Sequence, residues 1–276
     1  MNLASAIREN VKAALKEDLG RGDLTAKLIP AHARARASVI TREAAVLCGT
    51  AWFAACFRKL DPKIKIRWNA RDGDSIPAGQ VLCQISGKTR AMLSAERPAL
   101  NFLQLFSATA TRTRRYIEAV KGTRAAIMDT RKTLPGLRMA QKYAVKVGGG
   151  KNHRIGLFDG ILIKDNHVIA AGGIAQALQL AKQNAKRRVP IQIEVRNLQE
   201  LEEALRAGAK LILLDNFSPE LLRDAVQITA GRAQLEASGG INLESVRAIA
   251  ETGVDRISVG SLTKDVKAID LSMRFE

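Results

Sequence analysis

The sequence predicts an α/β fold in which a smaller N-terminal domain precedes an α/β barrel. From about residue 123, short apolar β-rich runs alternate with helical patterns, and Glu194, Asp215 and Glu236 recur at 21-residue intervals. A βα unit that repeats at such a period, with buried parallel strands, is typical of an α/β barrel or of a doubly wound sheet. Polar or charged residues also follow nearly every predicted strand. This favours the barrel, because a barrel gathers the carboxyl ends of its strands on one face.

The N-terminal part of the chain mixes helical and strand patterns. LASAIRENVKAALKEDLG has apolar residues at helical spacing and ends at Gly20, which predicts a helix with a glycine C-cap. ARASVITREAAVLCG and IKIRWNARDGDSIPAGQVLCQISG predict short strands broken by Asp-Gly and Pro-Ala-Gly turns. We therefore predict a small α+β domain over residues 1–105, with residues 263–276 as a candidate to complete it.

The barrel is predicted over residues 106–262. SAERPALNFLQLFSATATRTRRYIEAV predicts one long helix, or a broken pair, that leads into it. Barrel strands are predicted at AAIM, GILI, IQIEV, KLILL, AQLEA and RISVG. NLQELEEALRAG and NLESVRAIAETG predict helices between these strands, each closed by a glycine.

The net charge is strongly positive, at +17 over 276 residues. Such an excess is typical of a protein with a polyanionic partner, which can be nucleic acid, an anionic membrane or a small polyanionic substrate. An aromatic content of 4% and the lack of a basic tail disfavour nucleic acid. The apolar runs are too short to span a membrane. Part of the excess, such as the KRR run at 186–188, fits a generally basic solvated surface.

The N-terminus and the cysteines predict a cytoplasmic protein. MNLASAIREN reaches a charge at Arg8 without an apolar segment, so no secretory signal is expected. Cys48, Cys56 and Cys83 are odd in number and lack CxxC spacing, which predicts reduced, mostly buried thiols. With three histidines and no HExxH pattern, a zinc site built by the protein is not expected.

The stretch 130–154 carries seven cations and no acidic residue. Arginine binds carboxylate and phosphate in a bidentate manner and lysine acts as a point charge, so this stretch predicts an anion site. Arg138, Lys142 and Lys146 lie at helical spacing and fit a solvated face or a dimer surface instead. The cationic residues predicted for the rim of the barrel are Arg131, Lys132, His153, Arg154 and Lys164.

Two carboxylates, Glu194 and Asp215, lie on the same predicted rim. They fit a Mg²⁺–phosphate substrate, since Mg²⁺ usually takes one or two protein carboxylates plus phosphate oxygens. Contacts with sugar hydroxyls or with a developing oxocarbenium ion are a second explanation, and internal salt bridges to the lysines are a third.

Two glycine turns end neighbouring predicted strands, Ser238-Gly239-Gly240 and Gly260-Ser261. Either turn alone fits a tight βα connection, but two on adjacent strand ends of a barrel predict a phosphate site. We expect free backbone N–H groups at the start of the helix after Gly240 to face this phosphate.

Several familiar motifs are missing. GGGKNH lacks the spacing of a Walker A loop, and neither GxGxxG nor GxSxG is present. These absences disfavour a nucleoside triphosphatase, a Rossmann dehydrogenase and a serine hydrolase. The residues alone therefore predict a barrel enzyme for a small, highly anionic substrate that carries phosphates and a ribose.

Four segments together resemble the quinolinate phosphoribosyltransferases, the carboxylating nicotinate-nucleotide pyrophosphorylases. They are ERPALNFLQLFSATAT, DTRKTLPGLRMAQKYAVKVGGGKNHRIGLFDGILIKDNH, LLDNF and EASGGI, and the match runs from EDLGRGDLT to VGSLTK. The resemblance implies an incomplete α/β (TIM-like) barrel with a smaller N-terminal α/β sandwich domain. It also implies a homodimer, or a larger assembly of dimers, whose active site takes residues from a neighbouring chain.

The resemblance implies that quinolinate and phosphoribosyl pyrophosphate give nicotinate mononucleotide, pyrophosphate and CO₂, with Mg²⁺ and no organic cofactor. The positive charges of 130–154 would then be matched by the substrates, which carry two carboxylates, a phosphate and a diphosphate. Positioning and electrostatic stabilisation are the expected means of catalysis.

The resemblance also implies roles for individual residues. The implied quinolinate-binding residues are Thr130, Arg131, Lys132, His153, Arg154 and Lys164, with Arg97 from the partner chain. The implied phosphoribosyl-pyrophosphate-binding residues are Lys132, Lys164, Glu194, Asp215, Ser238, Gly239, Gly240, Val259, Gly260 and Ser261. The implied catalytic residues are Lys132, Lys164, Glu194 and Asp215, of which Glu194 and Asp215 would also hold Mg²⁺ directly or indirectly. His167 is expected to be a supporting hydrogen-bonding residue.

The chain departs from the family pattern in a few places. Ala108 replaces a common glycine, and Gln192 and Arg196 stand where the family often has acids. Two alternatives remain open: a paralogous phosphoribosyltransferase that acts on another anionic acceptor, and a nucleic-acid-binding protein.

Overall fold

A computed structural model describes residues 2–186 and 188–276 of the chain. They form two compact units. The first comprises the residues up to Arg114 together with Thr133–Gly149 and Asp265–Glu276, and the second comprises Arg115–Lys132 and Gly150–Lys264.

The strands and helices are numbered along the chain. The strands are β1 (Arg34–Thr41), β2 (Ala45–Val46), β3 (Lys65–Trp68), β4 (Ser75–Ile76), β5 (Val81–Lys88), β6 (Ala126–Met128), β7 (Ile161–Ile163), β8 (Ile191–Val195), β9 (Leu211–Asp215), β10 (Gln234–Ser238), β11 (Arg256–Ser258) and β12 (Leu271–Phe275). The helices are α1 (Leu3–Leu19), α2 (Thr50–Leu60), α3 (Thr89–Ala119), α4 (Arg138–Val147), α5 (Asp165–Ala171), α6 (Ile174–Asn184), α7 (Leu198–Arg206), α8 (Pro219–Thr229), α9 (Val246–Ala250) and α10 (Ser261–Lys264).

The first unit is built on a four-stranded antiparallel sheet in the order β12-β1-β5-β3, with β2 and β4 as a separate pair. Along β1, buried and more exposed positions alternate, as expected for a strand with one face on a core. Helix α1 ends where the sequence predicts, because Gly20 adopts a positive φ of 49°. The core contains a cluster of aromatic rings, with the centroids of Trp52 and Phe106 5.0 Å apart.

Helix α3 forms as one continuous helix, so the broken pair is not observed. It tolerates Pro98 in its interior, although proline lacks the backbone N–H of a helical hydrogen bond. Its residues up to Arg114 belong to the first unit.

Two segments inside the predicted barrel range of 106–262 are grouped with the first unit, residues 106–114 in α3 and residues 133–149 around α4. Residues 133–149 belong to the first unit because α4 buries Ala140 and Ala144 in that unit's core. An amphipathic helix in the middle of a βα repeat carries no local mark of the core it packs against, so the sequence pattern missed this.

The second unit contains a six-stranded sheet in the order β6-β11-β10-β9-β8-β7, and its strand pairs are all parallel. The first strand of the series pairs with the last, and every other neighbour is consecutive in sequence. A doubly wound sheet would reverse its order at an internal switch point, whereas this order is that of a singly wound barrel. The described residues of β6 and β7 form no ladder with each other, so the barrel is incomplete, as expected.

The register of the barrel shows how the acids spaced by 21 residues are arranged. Glu194 and Glu236 both pair with Leu213, so they lie at the same level of the sheet. Asp215 pairs with Ser238, one side-chain repeat nearer the carboxyl ends of the strands. The equal spacing in sequence therefore reflects the βα repeat and does not place the three acids in one row.

No helix among the residues that the structure describes is both long enough and apolar enough to cross a membrane.

Candidate active site

The parallel strands of the second unit bring most of the predicted site residues to their carboxyl ends. Thr130, Arg131 and Lys132 follow β6, Lys164 follows β7, and Glu194 lies near the end of β8. The ends of β9, β10 and β11 carry Asp215, Ser238-Gly239-Gly240 and Val259-Gly260-Ser261. His153 and Arg154 follow Lys151, which forms an isolated parallel bridge with Met128 of β6.

A buried acid, Asp129, positions the segment that carries His153. Its two carboxylate oxygens accept hydrogen bonds from the backbone N–H of His153, at 2.8 Å, and from Nδ2 of Asn152, at 2.5 Å. Asp129 is fully buried, and its own N–H donates to the carbonyl of Lys151. Asp129 was not among the site residues predicted from the sequence. Its role depends on contacts across 24 residues, which no local pattern reports.

Arg131 and Arg154 place two guanidinium groups near each other. Burial lowers the pKa of Arg154 and the positive charge of Arg131 lowers it further, while Asp159 opposes both effects. Nη1 of Arg154 donates to the carbonyl of Gly160 at 3.1 Å. Nε of Arg131 is buried and has no hydrogen-bond partner within the described chain. A buried donor beside a like charge costs free energy, which an anionic ligand would recover.

Both ring nitrogens of His153 are engaged within the protein. Nδ1 accepts from the backbone N–H of Arg154 at 2.8 Å, and Nε2 lies 2.7 Å from Oε1 of Gln192. Nε2 of Gln192 in turn donates to Oε2 of Glu236 at 3.1 Å. The predicted site did not include Gln192 or Glu236. A single polar residue inside a run of apolar residues interrupts the strand pattern but gives no sign of a functional role.

Lys164 forms an ion pair with Glu194, with Nζ 2.8 Å from Oε2. The backbone N–H of Lys164 donates to Nδ1 of His167 at 3.0 Å, so His167 is the supporting hydrogen-bonding residue that the sequence suggested. The internal salt bridge considered for the two carboxylates is therefore present for Glu194. Within the described residues no cation lies at ion-pair distance from Asp215.

Asp215 is held by its neighbour Asn216, whose Nδ2 donates to Oδ2 of Asp215 at 2.9 Å. Asn216 adopts a left-handed φ of 58°, and its backbone N–H donates to the carbonyl of Ser238. The following Gly239 has a φ of 105°, and a Cβ there would lie 2.1 Å from Oδ1 of Asn216. Only glycine fits at this position, so the SGG turn and the Asp215 end of β9 are packed as one unit.

Lys132 lies against the second glycine turn. A Cβ on Gly260 would lie 3.2 Å from Cδ of Lys132 and 3.9 Å from its Nζ. Oγ1 of Thr130 accepts from the N–H of Lys132, and Oγ1 of Thr263 donates to its carbonyl at 2.6 Å. These contacts place the Lys132 ammonium group beside the backbone of the Gly260 turn.

A residue that the sequence analysis missed supports the same turn. The hydroxyl of the buried Tyr116, at the end of α3, lies 3.4 Å from Oγ of Ser261. A tyrosine at helical spacing fits a simple core residue, so the sequence gave no sign of this contact.

The expected helix start after Gly240 is wrong. Helix α9 begins only at Val246, and the N–H groups of Glu244 and Ser245 already donate to Oδ1 of Asn242. The amides left for a ligand belong to the turns themselves. Within the described chain, the backbone N–H groups of Gly239, Gly240 and Gly260 are not used in hydrogen bonds. Three such groups at neighbouring strand ends can donate hydrogen bonds to a phosphate.

Arg97 is an exposed residue of α3 and belongs to the first unit, whereas the other predicted site residues belong to the second unit. Lys142, also in the first unit, is buried, which corrects the expectation that it belongs to a solvated helix face. The three cysteines are free and buried, also in the first unit. Burial raises the pKa of Cys56 and Cys83 to about 12 and that of Cys48 well above its usual value.

The carboxylates of Glu194 and Asp215 fit a magnesium–diphosphate group. No cluster of three or more His, Cys, Asp and Glu side chains suited to a metal occurs among the described residues. Mg²⁺ needs no such cluster, because it commonly takes one or two carboxylates and completes its shell with phosphate oxygens and water. Two hard oxygen donors on adjacent strands match this requirement.

The arrangement as a whole offers cations for carboxylates, free amides for a phosphate, and carboxylates for a metal or for sugar hydroxyls. The three cysteines are buried thiols outside this group of residues, so none of them serves as its nucleophile. Its chemistry is therefore that of positioning and electrostatic stabilisation of an anionic substrate.

Comparison with known proteins gives matches along almost the whole chain. Residues 109–274 match the C-terminal domain of quinolinate phosphoribosyl transferase, and residues 23–107 match its N-terminal domain. The chain is 42% identical over 257 residues to the probable nicotinate-nucleotide pyrophosphorylase [carboxylating] of Bacillus subtilis, covering 93% of this chain and 89% of that protein. A Nicotiana tabacum protein named quinolinate phosphoribosyltransferase [decarboxylating] 2b, mitochondrial, is 39% identical, over 98% of this chain and 82% of its own.

Solved structures agree with these matches. The nicotinate-nucleotide pyrophosphorylase from Francisella tularensis superimposes with a TM-score of 0.96 at 44% identity, covering 100% of this chain and 98% of its own.

Proposed function

This chain belongs to the quinolinate phosphoribosyltransferase family, and we propose that it transfers the phosphoribosyl group of phosphoribosyl pyrophosphate to quinolinate with loss of CO₂. The products are nicotinate mononucleotide and pyrophosphate, which places the reaction in NAD biosynthesis. Nucleic-acid binding is not needed to explain the charge, because both substrates are polyanions.

The observation that carries the proposal is the pair of guanidinium groups at Arg131 and Arg154. They lie within each other's field, and Nε of Arg131 is buried without a partner. A ligand with two carboxylates supplies two acceptors to such a pair, and bidentate arginine–carboxylate contacts fix its orientation. Thr130, Lys132, His153 and Lys164 would complete the quinolinate pocket.

The other substrate would occupy the strand ends across the barrel. The amides of Gly239, Gly240 and Gly260, with Ser238, Val259 and Ser261, would hold the 5′-phosphate. Glu194 and Asp215 would hold the ribose hydroxyls and Mg²⁺, and Lys132 and Lys164 would face the diphosphate. Bound Mg²⁺ would supply charge neutralisation for the departing diphosphate.

The reaction then needs no covalent intermediate with the protein. The bond from C1′ of ribose to the diphosphate oxygen breaks, and the pyridine nitrogen forms the new bond to C1′. Lys132 and Lys164 stabilise the negative charge that develops on the diphosphate, and Glu194 and Asp215 stabilise the positive charge on the ribose. The pyridine nitrogen is now cationic, so the adjacent carboxylate leaves as CO₂ and its electron pair stays on the ring carbon, which takes a proton from water.

The assembly would be a homodimer, or a larger assembly of dimers, in the cytoplasm. Arg97 would reach the quinolinate of the partner chain, and its exposure on α3 supports this.

The test is release of CO₂ from carboxyl-labelled quinolinate, with and without phosphoribosyl pyrophosphate and Mg²⁺. We expect release only when both are present. Arg131→Ala removes a charged donor that faces a carboxylate and should lower kcat/KM by about 10- to 150-fold, the effect of a hydrogen bond to a charged group.

Arg223→Ala is the matched control, because Arg223 is a half-exposed arginine of α8 whose Nη1 lies 4.0 Å from Oε1 of Glu220 on the same helix. It should keep wild-type activity. A folded wild type that releases no CO₂ contradicts the assignment and leaves the paralogous enzyme with another anionic acceptor as the explanation.

A further inference from the structure

A buried network of polar side chains lies directly beneath the rim formed by the carboxyl ends of the strands in the second unit. Gln192 and Glu194 are two residues apart on β8, so their side chains are on the same face of the sheet, with Gln192 one repeat deeper. Glu236 on β10 lies level with Glu194 in the register. Gln192 and Glu236 are 4% and 1% exposed, so neither can exchange its partner for water.

The hydrogen bonds among His153, Gln192 and Glu236 fix the orientation of the Gln192 amide. A carboxylate accepts but does not donate, so the side of the amide that faces Oε2 of Glu236 at 3.1 Å is its NH₂ group. The amide oxygen then faces Nε2 of His153 at 2.7 Å. The amide oxygen and nitrogen of Gln192 are thus told apart by their hydrogen-bond partners, because the Glu236 carboxylate can only accept.

The same bonds fix the proton on His153. Because the amide oxygen of Gln192 only accepts, Nε2 of His153 carries the hydrogen. Nδ1 accepts the backbone N–H of Arg154 at 2.8 Å, so it carries none. The ring is therefore the neutral tautomer with its proton on Nε2.

We propose that Gln192 is a positioning residue that holds His153 as this neutral tautomer and thereby fixes the backbone of Arg154. Arg154 and Arg131 are the guanidinium pair proposed above to bind the quinolinate carboxylates, the quinolinate clamp. This rests on the proposed function for the identity of the substrate. The positive charge of the clamp then comes from the two guanidinium groups, and His153 contributes through the backbone position it enforces.

Only an amide meets both requirements at position 192. It must accept from His153 on one side and donate to Glu236 on the other. Glutamate would place two carboxylates about 3 Å apart in a buried site and favour a proton on one of them or on His153. Methionine has a similar length but neither donates nor accepts strongly.

Among the charged groups near His153, Oε1 of Glu236 lies 3.8 Å from Nε2 of the ring, and Asp129 accepts the backbone N–H of His153. Arg154 follows in sequence, and its backbone N–H donates to Nδ1 of the ring. The positive charge of Arg131 is close enough to Arg154 to lower its pKa. The competing arrangement is an imidazolium paired with Glu236, and it differs from the proposed one by one proton.

The test is nuclear magnetic resonance of the free protein with ¹⁵N-labelled histidine rings. The chain has three histidines, so the His153 signals are assigned from a His153→Gln variant. We expect the neutral ring with the proton on Nε2 at the pH of the assay. Gln192→Met should give mixed tautomers and raise KM for quinolinate by about 5- to 10-fold, the effect of one lost hydrogen bond, with a smaller change in kcat.

Two more variants separate positioning from a packing defect. Glu236→Gln still accepts from the Gln192 amide, so it should keep the tautomer. Gln192→Glu has the same shape but loses the donor, so it should favour a proton on His153 or on one of the two carboxylates. Gln183→Met, at an exposed position of α6, should change nothing.

An imidazolium or a proton on Nδ1 in the wild type overturns the proposal. So does a Gln192→Met variant with an unchanged tautomer and an unchanged KM. The spectra are recorded without substrate, so a failure of the CO₂ assay leaves their result intact and the two proposals fail separately.

Discussion

Gly239→Ala tests whether the phosphate turn and the Asp215 carboxylate are packed as one unit. The added Cβ would lie 2.1 Å from Oδ1 of Asn216 and 3.0 Å from its backbone nitrogen, and the position has a φ of 105°. The side chain of Asn216 has to move, and its hydrogen bond to Asp215 is lost when it does. The turn also has to leave a backbone conformation that alanine rarely adopts.

The magnitude follows from these two terms. A residue held in a disfavoured backbone region costs about 1–3 kcal/mol. Loss of the hydrogen bond between Asn216 and Asp215 adds about 1 kcal/mol. If the substrate site bears the sum of about 2–4 kcal/mol, KM for phosphoribosyl pyrophosphate rises by about 30- to 700-fold, at a factor of ten per 1.4 kcal/mol.

The assay is steady-state kinetics with phosphoribosyl pyrophosphate as the varied substrate, beside thermal unfolding of each variant. Gly231→Ala is the control, because Gly231 also has a positive φ, of 75°, but a Cβ there meets nothing within 4 Å. It should lose some stability and keep KM. The reasoning is refuted if Gly239→Ala keeps KM within about threefold of wild type, or if both variants raise KM alike.

Three further predictions concern other contacts. Tyr116→Phe removes the hydroxyl that lies 3.4 Å from Ser261, and KM for phosphoribosyl pyrophosphate should rise by about 2- to 3-fold without a change in melting temperature. Hydrogen bonds from the N–H of Ala26 and the hydroxyl of Ser94 lower the pKa of Asp23 below 3.8, so its contribution to stability is present above that pH and lost as the pH falls through the lowered value. Asp23→Ala should therefore melt below the wild type at neutral pH, and the difference should close in acid; a constant difference across the pH range contradicts this. The three cysteines have raised pKa values, so a thiol reagent should label none of them in the native protein and all of them in urea.

The sequence was a good guide to the barrel rim. In a parallel βα repeat, apolar runs mark the strands and the first polar residues after them mark the strand ends, so Lys164 and Asp215 could be placed from periodicity alone. The pairing of Lys164 with Glu194 also appeared in advance as one of three alternatives. The roles of these residues toward substrates came from the family resemblance.

The polar contacts in the interior of the site could not be predicted from the sequence. Gln192 and Glu236 are polar residues inside strands, and their meaning depends on His153, which lies 39 residues from Gln192. The late start of α9 was hidden because Asn242 caps a turn that has the composition of a helix start. Each miss concerns a contact that only the folded chain defines.

The pairing of β12 with β1 joins residues 271–275 to residues 37–41, which are far apart in the chain. On the ribosome, β1 is made long before its edge partner β12, and all strands of the second unit are made between them. The first unit therefore cannot complete its sheet until the strands of the second unit have been made. Until then β1 has an open edge, which is a site for wrong pairing with other chains. Deletion of β12 should accordingly lower the yield of folded protein more than deletion of as many residues at the N-terminal end of α1.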